Sequence, residues 1–167
     1  SYPSRFQLIA AMNPCRCGYM GTVEAKCRTS DRCGEVYQNR ISGPIFDRMD
    51  MHVSVAAIKP TDLATSTRGE TSATVLKRVQ AARALQKNRY KSLNLLTNAE
   101  LSSKQVDDHA KVTEAAKQML LEATEKYRLS ARSYYRTLKV ARTIADLANA
   151  PEILRPHVAE ALGYRKG

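Results

Sequence analysis

Cys15, Cys17, Cys27 and Cys33 all fall in the first fifth of the chain. Four thiolates on short loops can close a tetrahedral zinc shell with Zn–S bonds of about 2.3 Å, and a short loop gains stability from such a staple. The spacing is Cys-x-Cys, nine residues, Cys, five residues, Cys. Its single-residue gap departs from the common Cys-x₂₋₄-Cys, and reduced thiols on a surface loop are the plain alternative. A second candidate is Arg48, in the stretch "ISGPIFDRMD" over 41–50. Either it pairs with Asp47 or Asp50, or it points away toward a negative charge that the chain does not supply. Asn13 ends an apolar run, where open α/β sheets place a ligand crevice, although Asn-Pro is also an ordinary turn opening. Arg132 comes two residues after Ser130, a helix cap by its position. There a cation gains nothing from the helix dipole, whereas a phosphate would meet both the N–H groups and the arginine.

These residues need elements to hold them. The run "FQLIAAM" over 6–12 suits a short buried strand that stops at Pro14, and 51–55 reads as a second strand after a Gly-Pro turn. The cysteine segment between them reads as loop. Residues 61–72 have linker composition and mark the best domain boundary.

From there the period is helical. Ser72 can cap a helix to about Tyr90 with Val75, Val79 and Ala82 on one face, and Ser102 or Ser103 can open a short helix to about His109. Thr113 can cap a third, with Ala116, Met119, Leu120, Ala123 and Tyr127 in one stripe. Ser130 caps the clearest helix, in which Tyr134, Leu138, Ala141, Ala145 and Leu147-Ala148 follow the helical repeat and Arg132, Arg136 and Lys139 project from the opposite side. A last helix follows Pro156. The expected fold is therefore mainly α, a bundle of four to five helices preceded by a partial α/β remnant with a cysteine-rich loop.

Twenty-seven Lys+Arg against 16 Asp+Glu give a net charge of +11, which suits an anionic partner such as nucleic acid or nucleotide phosphate. The basic faces Lys77, Arg78, Arg83 and Lys87, and Arg132, Arg136 and Lys139, could bind a polyanion, but solvated helix faces look the same. His52, His109 and His157 are scattered and call for no chemistry. No apolar run approaches the ~20 residues of a membrane span and no secretory leader opens the chain, so a cytoplasmic protein is expected. The opening "SYPSRFQLIAAMNP" reads as an excised fragment. There is no G-x-x-x-x-G-K-[ST], G-x-G-x-x-G or G-x-S-x-G, so a phosphate cradle would have to lie upstream of Ser1.

The runs "FQLIAAMNPCRCGYMG", "ISGPIFDRMD", "RVQAARALQKNR" and "LSARSYYRTLKVARTIADL" together resemble the magnesium-chelatase-like AAA+ ATPases of the bacterial competence type, the ComM/YifB family. The resemblance spans nearly the whole chain in order. It implies that 1–60 is the last part of an ATPase core with its cysteine-rich insertion, and that 73–167 is the helical lid. Walker A and Walker B would then lie outside these residues.

By position, Asn13 looks like the sensor-1 residue, Arg48 like the arginine finger reaching a neighbouring subunit's nucleotide, and Arg132 like the sensor-2 arginine. The family's insertion usually carries two Cys-x-Cys pairs; here Thr29 stands where the fourth cysteine is expected and Cys33 follows four residues later. The implied protein is a ring-forming, hexameric ATPase that uses ATP and Mg²⁺, and possible Zn²⁺, to remodel DNA in branch migration or competence-type recombination. Alone, this chain would be inactive. Two alternatives stay open: a zinc-stapled helical module binding nucleic acid or protein without catalysis, and a magnesium chelatase subunit.

Overall fold

A computed structural model describes residues 6–18, 32–56, 58 and 69–165. Cys27, Thr29 and most of the expected linker, 61–68, lie outside the described residues. Two compact units are present, Ser1–Gly43 with Val55–Ala64, and Pro44–Ser54 with Thr65–Gly167.

Among the described residues, neither apolar run builds a sheet. Residues 6–12 form no ladder, and Phe6, Leu8 and Ile9 stand 76%, 66% and 85% exposed. The second expected strand, over 51–55, forms no ladder either, with Val53 and Val55 exposed. The physical reason is the same for both: a strand is stabilised by cross-strand pairs, and no described segment offers these runs an edge. The segment read as loop instead contains helix α1 (Cys33–Gln38). Gln38 Nε2 donates to Pro14 O at 3.0 Å, tying α1 to the start of the cysteine loop.

The second unit holds the longer helices. Residues Gly43–Arg48 form a short helix, α2, rather than a simple Gly-Pro turn; proline is tolerated in a first turn because its missing N–H would be unbonded there anyway. Five more helices follow: α3 (Ser72–Arg89), α4 (Ser103–His109), α5 (Glu114–Lys126), α6 (Ala131–Leu147) and α7 (Arg155–Gly163). The expected bundle is thus present as five helices.

Most caps fall where the sequence places them. Ser102 forms a capping box with Gln105, and Ser130 Oγ accepts from Ser133 N at 3.1 Å. Thr71, not Ser72, caps α3, and Thr113 turns its hydroxyl away from α5 to donate to Ile153 O at 3.1 Å. His157 Nδ1 accepts from Leu154 N at 3.1 Å at the start of α7.

The core gathers Tyr90, Leu101, Val106, Leu120, Leu138, Ile153 and Val158 around Ala110, Ala116, Ala141, Ala145 and Ala161. Alanine on facing surfaces lets short helices pack closely. A short parallel bridge between Val112 and Ile153 ties the turn before α5 to the one before α7. The predicted stripes of α5 and α6 are buried at Ala116, Leu120 and Ala123 and at Leu138, Ala141 and Ala145, but Tyr127 at the end of α5 and Leu147-Ala148 at the end of α6 are exposed, beyond the reach of the packed helices. On α3 the reading is corrected. Val75 and Val79 are exposed, and the buried positions are Ala82 and the polar Gln86, because α3 meets the bundle through its polar C-terminal end. No described helix is long and apolar enough to cross a membrane.

Candidate functional site

Residues 44–54 lie against the N-terminal end of α6 and the end of α7, held by polar contacts. His52 N donates to Tyr164 O at 2.7 Å, and Arg165 Nη1 donates to Met49 O at 2.8 Å. Asp47 is the hub. Its carboxylate accepts from the Ser133 hydroxyl and from Ser130 Oγ at 3.3 Å, and lies 3.5 Å from both Arg132 Nη1 and Arg165 Nη2. The Ser133 hydrogen bond, with help from Ser130 and the two arginines, holds the Asp47 carboxyl below its ordinary value against some opposing burial. Asp50 pairs with Arg136 Nη1 at 2.5 Å.

Arg48 lies between those two acids and pairs with neither. Its Nη1 donates to Pro44 O at 2.9 Å, a contact within its own short helix, and the side chain is exposed. Among the described residues it forms no ion pair. The question posed by "ISGPIFDRMD" therefore has a structural answer: both acids are engaged by α6, and the arginine between them is not engaged by either.

Arg132 is half exposed, 52%, in the first turn of α6. The anion that this position favours is present, and it is Asp47 from the same chain. Arg136 and Lys139, read as part of a solvated face, are also engaged; Lys139 Nζ donates to Ala99 O at 3.0 Å, and burial lowers its pKa. On α3, Arg78 makes a two-point contact with Glu70 at 3.1 and 2.7 Å.

In the first unit, the sulfurs of Cys15, Cys17 and Cys33 all lie within 4.8 Å of one another, with Cys15 and Cys17 Sγ 3.2 Å apart. A tetrahedral zinc with bonds of about 2.3 Å needs its sulfurs roughly 3.8 Å apart, so three donors are gathered at a suitable scale. Gly18, at φ +80°, sends its N–H back to Cys15 O at 3.1 Å and closes the turn. Few residues but glycine adopt that backbone freely. Asn13 is exposed, one residue before the Pro14 carbonyl that receives Gln38.

Sequence reasoning missed Ser133 and Arg165, which fix Asp47, and a second cluster at the other end of α6. There Asp146 accepts from Arg89 at 2.5 and 3.1 Å, from Arg142 at 3.0 and 3.2 Å and from Asn98 Nδ2 at 2.9 Å. Arg142 also donates to the carbonyls of Ala110, Ala150 and Pro151. The local clue to the first cluster is the Ser130-x-x-Ser133 pair at a helix start, which presents hydroxyls to an anion. The second gives no local clue, since an Arg142–Asp146 pair at i,i+4 looks like any surface ion pair.

Two family models match the chain. The one described as the C-terminal part of magnesium chelatase subunit ChlI covers residues 69–165, and that of magnesium chelatase subunit ChlI covers residues 1–63. The class is that of magnesium-chelatase-like AAA+ proteins. Among relatives, the competence protein ComM of Haemophilus influenzae is 44% identical over 166 residues, covering 98% of this chain and 31% of that protein. The YifB proteins of Escherichia coli and Salmonella typhimurium are 41% and 39% identical, each over 99% of this chain and 32% of the relative. The chain belongs to the ComM/YifB family, and spans about a third of the length of these relatives.

Proposed function

We propose that this chain supplies the arginine finger, Arg48, the sensor-2 arginine, Arg132, and the sensor-1 asparagine, Asn13, of a ring-forming AAA+ ATPase. The ring is hexameric by family resemblance, works in the cytoplasm, and couples ATP hydrolysis to DNA remodelling of the branch-migration or competence type. One observation carries the reading: Arg48 is exposed and, among the described residues, held by a backbone carbonyl alone, while the acids beside it are committed to α6. An arginine so placed fits a phosphate brought by a neighbouring subunit, since leaving Pro44 O costs it one neutral hydrogen bond.

Bound ATP with Mg²⁺ would supply the phosphoryl group, and Arg48 would stabilise charge building on its oxygens. Arg132 would hold phosphate at the start of α6, and Asn13 would orient a polar group near it. The residues of this chain contain no phosphate-cradling loop, so alone it turns over no ATP. The net charge of +11 supports a DNA partner.

In the complete protein, Arg48→Ala lowers kcat by about a thousandfold or more, with ATP binding and ring assembly retained. Turnover at the wild-type rate would remove the finger role.

The gathered sulfurs of Cys15, Cys17 and Cys33 support a zinc staple, completed by Cys27. They also favour, as a second reading, a zinc-stapled binding module without catalysis. Salt-dependent DNA binding together with undiminished function in Arg48→Ala would select that reading.

A further inference from the structure

The two arginines given roles above are linked through one carboxylate. Asp47 precedes Arg48 in the last turn of α2, and its carboxylate is seated on α6 by Ser130 and Ser133, beside Arg132. Arg165, only 9% exposed, closes the far side by donating to Ser133 Oγ at 2.7 Å and to Met49 O at 2.8 Å. Asp50, two residues beyond Arg48, repeats the attachment one turn further along α6 through Arg136. Anchors on both sides of Arg48 therefore lead to one helix, and residues 44–54 belong to the compact unit of the helices.

We propose that Asp47 is a positioning residue that makes Arg48 and Arg132 parts of one rigid body. The arginine that reaches a neighbouring subunit then moves with the lid helix that carries the other. The inference rests on the roles given to both arginines under Proposed function. Of Asp47's contacts, the one to half-exposed Arg132 is long, 3.5 Å, and carries no hydroxyl bridge. A phosphate can draw Arg132 away while Ser130, Ser133 and Arg165 keep Asp47 in place. Arg48 thus keeps its aim whether or not Arg132 is engaged.

The test uses the complete protein and its steady-state ATPase. Asp47→Ala lowers kcat between about tenfold and about a hundredfold, because a small misplacement of a transition-state group is costly. KM for ATP stays within about twofold, since ground-state binding is untouched. In an Arg48→Ala background, Asp47→Ala produces no further loss of kcat, because it acts only through Arg48. Asp47→Asn keeps an acceptor for the serines, loses less than Asp47→Ala, and is equally silent in the Arg48→Ala background; it carries the test if Asp47→Ala does not assemble.

An equal loss of kcat with and without Arg48, or wild-type kcat in Asp47→Ala while Arg48→Ala is inactive, would overturn the coupling and leave the finger role standing. Wild-type kcat in Arg48→Ala would overturn the finger role itself, and the coupling with it.

Discussion

At each end of α6 one carboxylate meets two arginines, Asp146 of α6 itself at the C-terminal end and Asp47 from α2 at the N-terminal end, yet the two are built for different ends. At the C-terminal end, Asp146 is fully buried and Arg142 is 1% exposed; their side-chain nitrogens and oxygens bond to each other, to Arg89 and Asn98, and to three carbonyls. At the N-terminal end, Asp47 is 30% exposed, and the arginine beside it, Arg132, is half in solvent. Burial makes the first cluster a fixed joint between α3, α6 and the turns around them. Partial exposure leaves the second open to exchange of partners, as the phosphate recognition proposed for Arg132 requires. What separates structure from function here is access to water and to an incoming anion, not residue type.

The sharpest way to break that contrast is to remove one carboxylate at a time. Asp146→Ala leaves Arg142 and Arg89 charged around an empty buried acceptor, and is expected to destabilise the helical unit by about 3–5 kcal/mol. Denaturant unfolding of the chain measures it. A loss as small as that of Asp47→Ala would mean that the buried cluster is no more structural than the exposed one.

Acid sharpens the same comparison. At Asp146 burial works against ionisation, but the hydrogen bonds from Arg89 and Asn98 and the charge of Arg142 outweigh it, so the carboxyl ionises below the ordinary 3.8. A carboxyl whose folded pKa is depressed contributes stability in full above its unfolded value, and loses it as pH falls through the folded one. Stability is therefore flat from pH 7 down to about pH 5 as far as this group is concerned, and falls below about pH 3.8. Asp146→Asn should remove a large part of that acid-dependent loss, and Asp47→Asn a smaller part, since Asp47 is screened by water. Equal effects in the two titrations would contradict the difference in access.

The helices were legible because their signals are local. Ser102 with Gln105, Ser130, and the spacing of Leu138, Ala141 and Ala145 each act within four residues. The strands over 6–12 and 51–55 were not, because an apolar run specifies a strand only if a partner edge is within reach. On α3 the face of Val75, Val79 and Ala82 was read correctly but not which end of it is covered: Ala82 and, further along the same face, Gln86 are buried while Val75 and Val79 stay exposed, and the C-terminal end is anchored by Gln86, Arg89 and Tyr90, with Tyr90 Oη donating to Asn98 Oδ1 at 2.7 Å. At the candidate site, the types and order of Arg48 and Arg132 were readable. Their connection was not, since it runs from Asp47 to Ser133 across 86 residues of sequence.

The smallest effect expected is at Asp50, and it refines the picture of how 44–54 is held. Its pair with Arg136 is short, 2.5 Å, but the Asp50 side chain is 58% exposed and that of Arg136 26%. Exposed ion pairs contribute about 0–1 kcal/mol and weaken with salt. Asp50→Ala should therefore cost under about 1 kcal/mol in unfolding, with the difference from wild type shrinking at high salt. Because Asp47 alone carries hydroxyl contacts to α6, Asp50→Ala should also lower kcat of the complete protein much less than Asp47→Ala. Were the two losses equal, the attachment of Arg48 to α6 would be a property of the whole 44–54 segment, and Asp47 would have no special place in it.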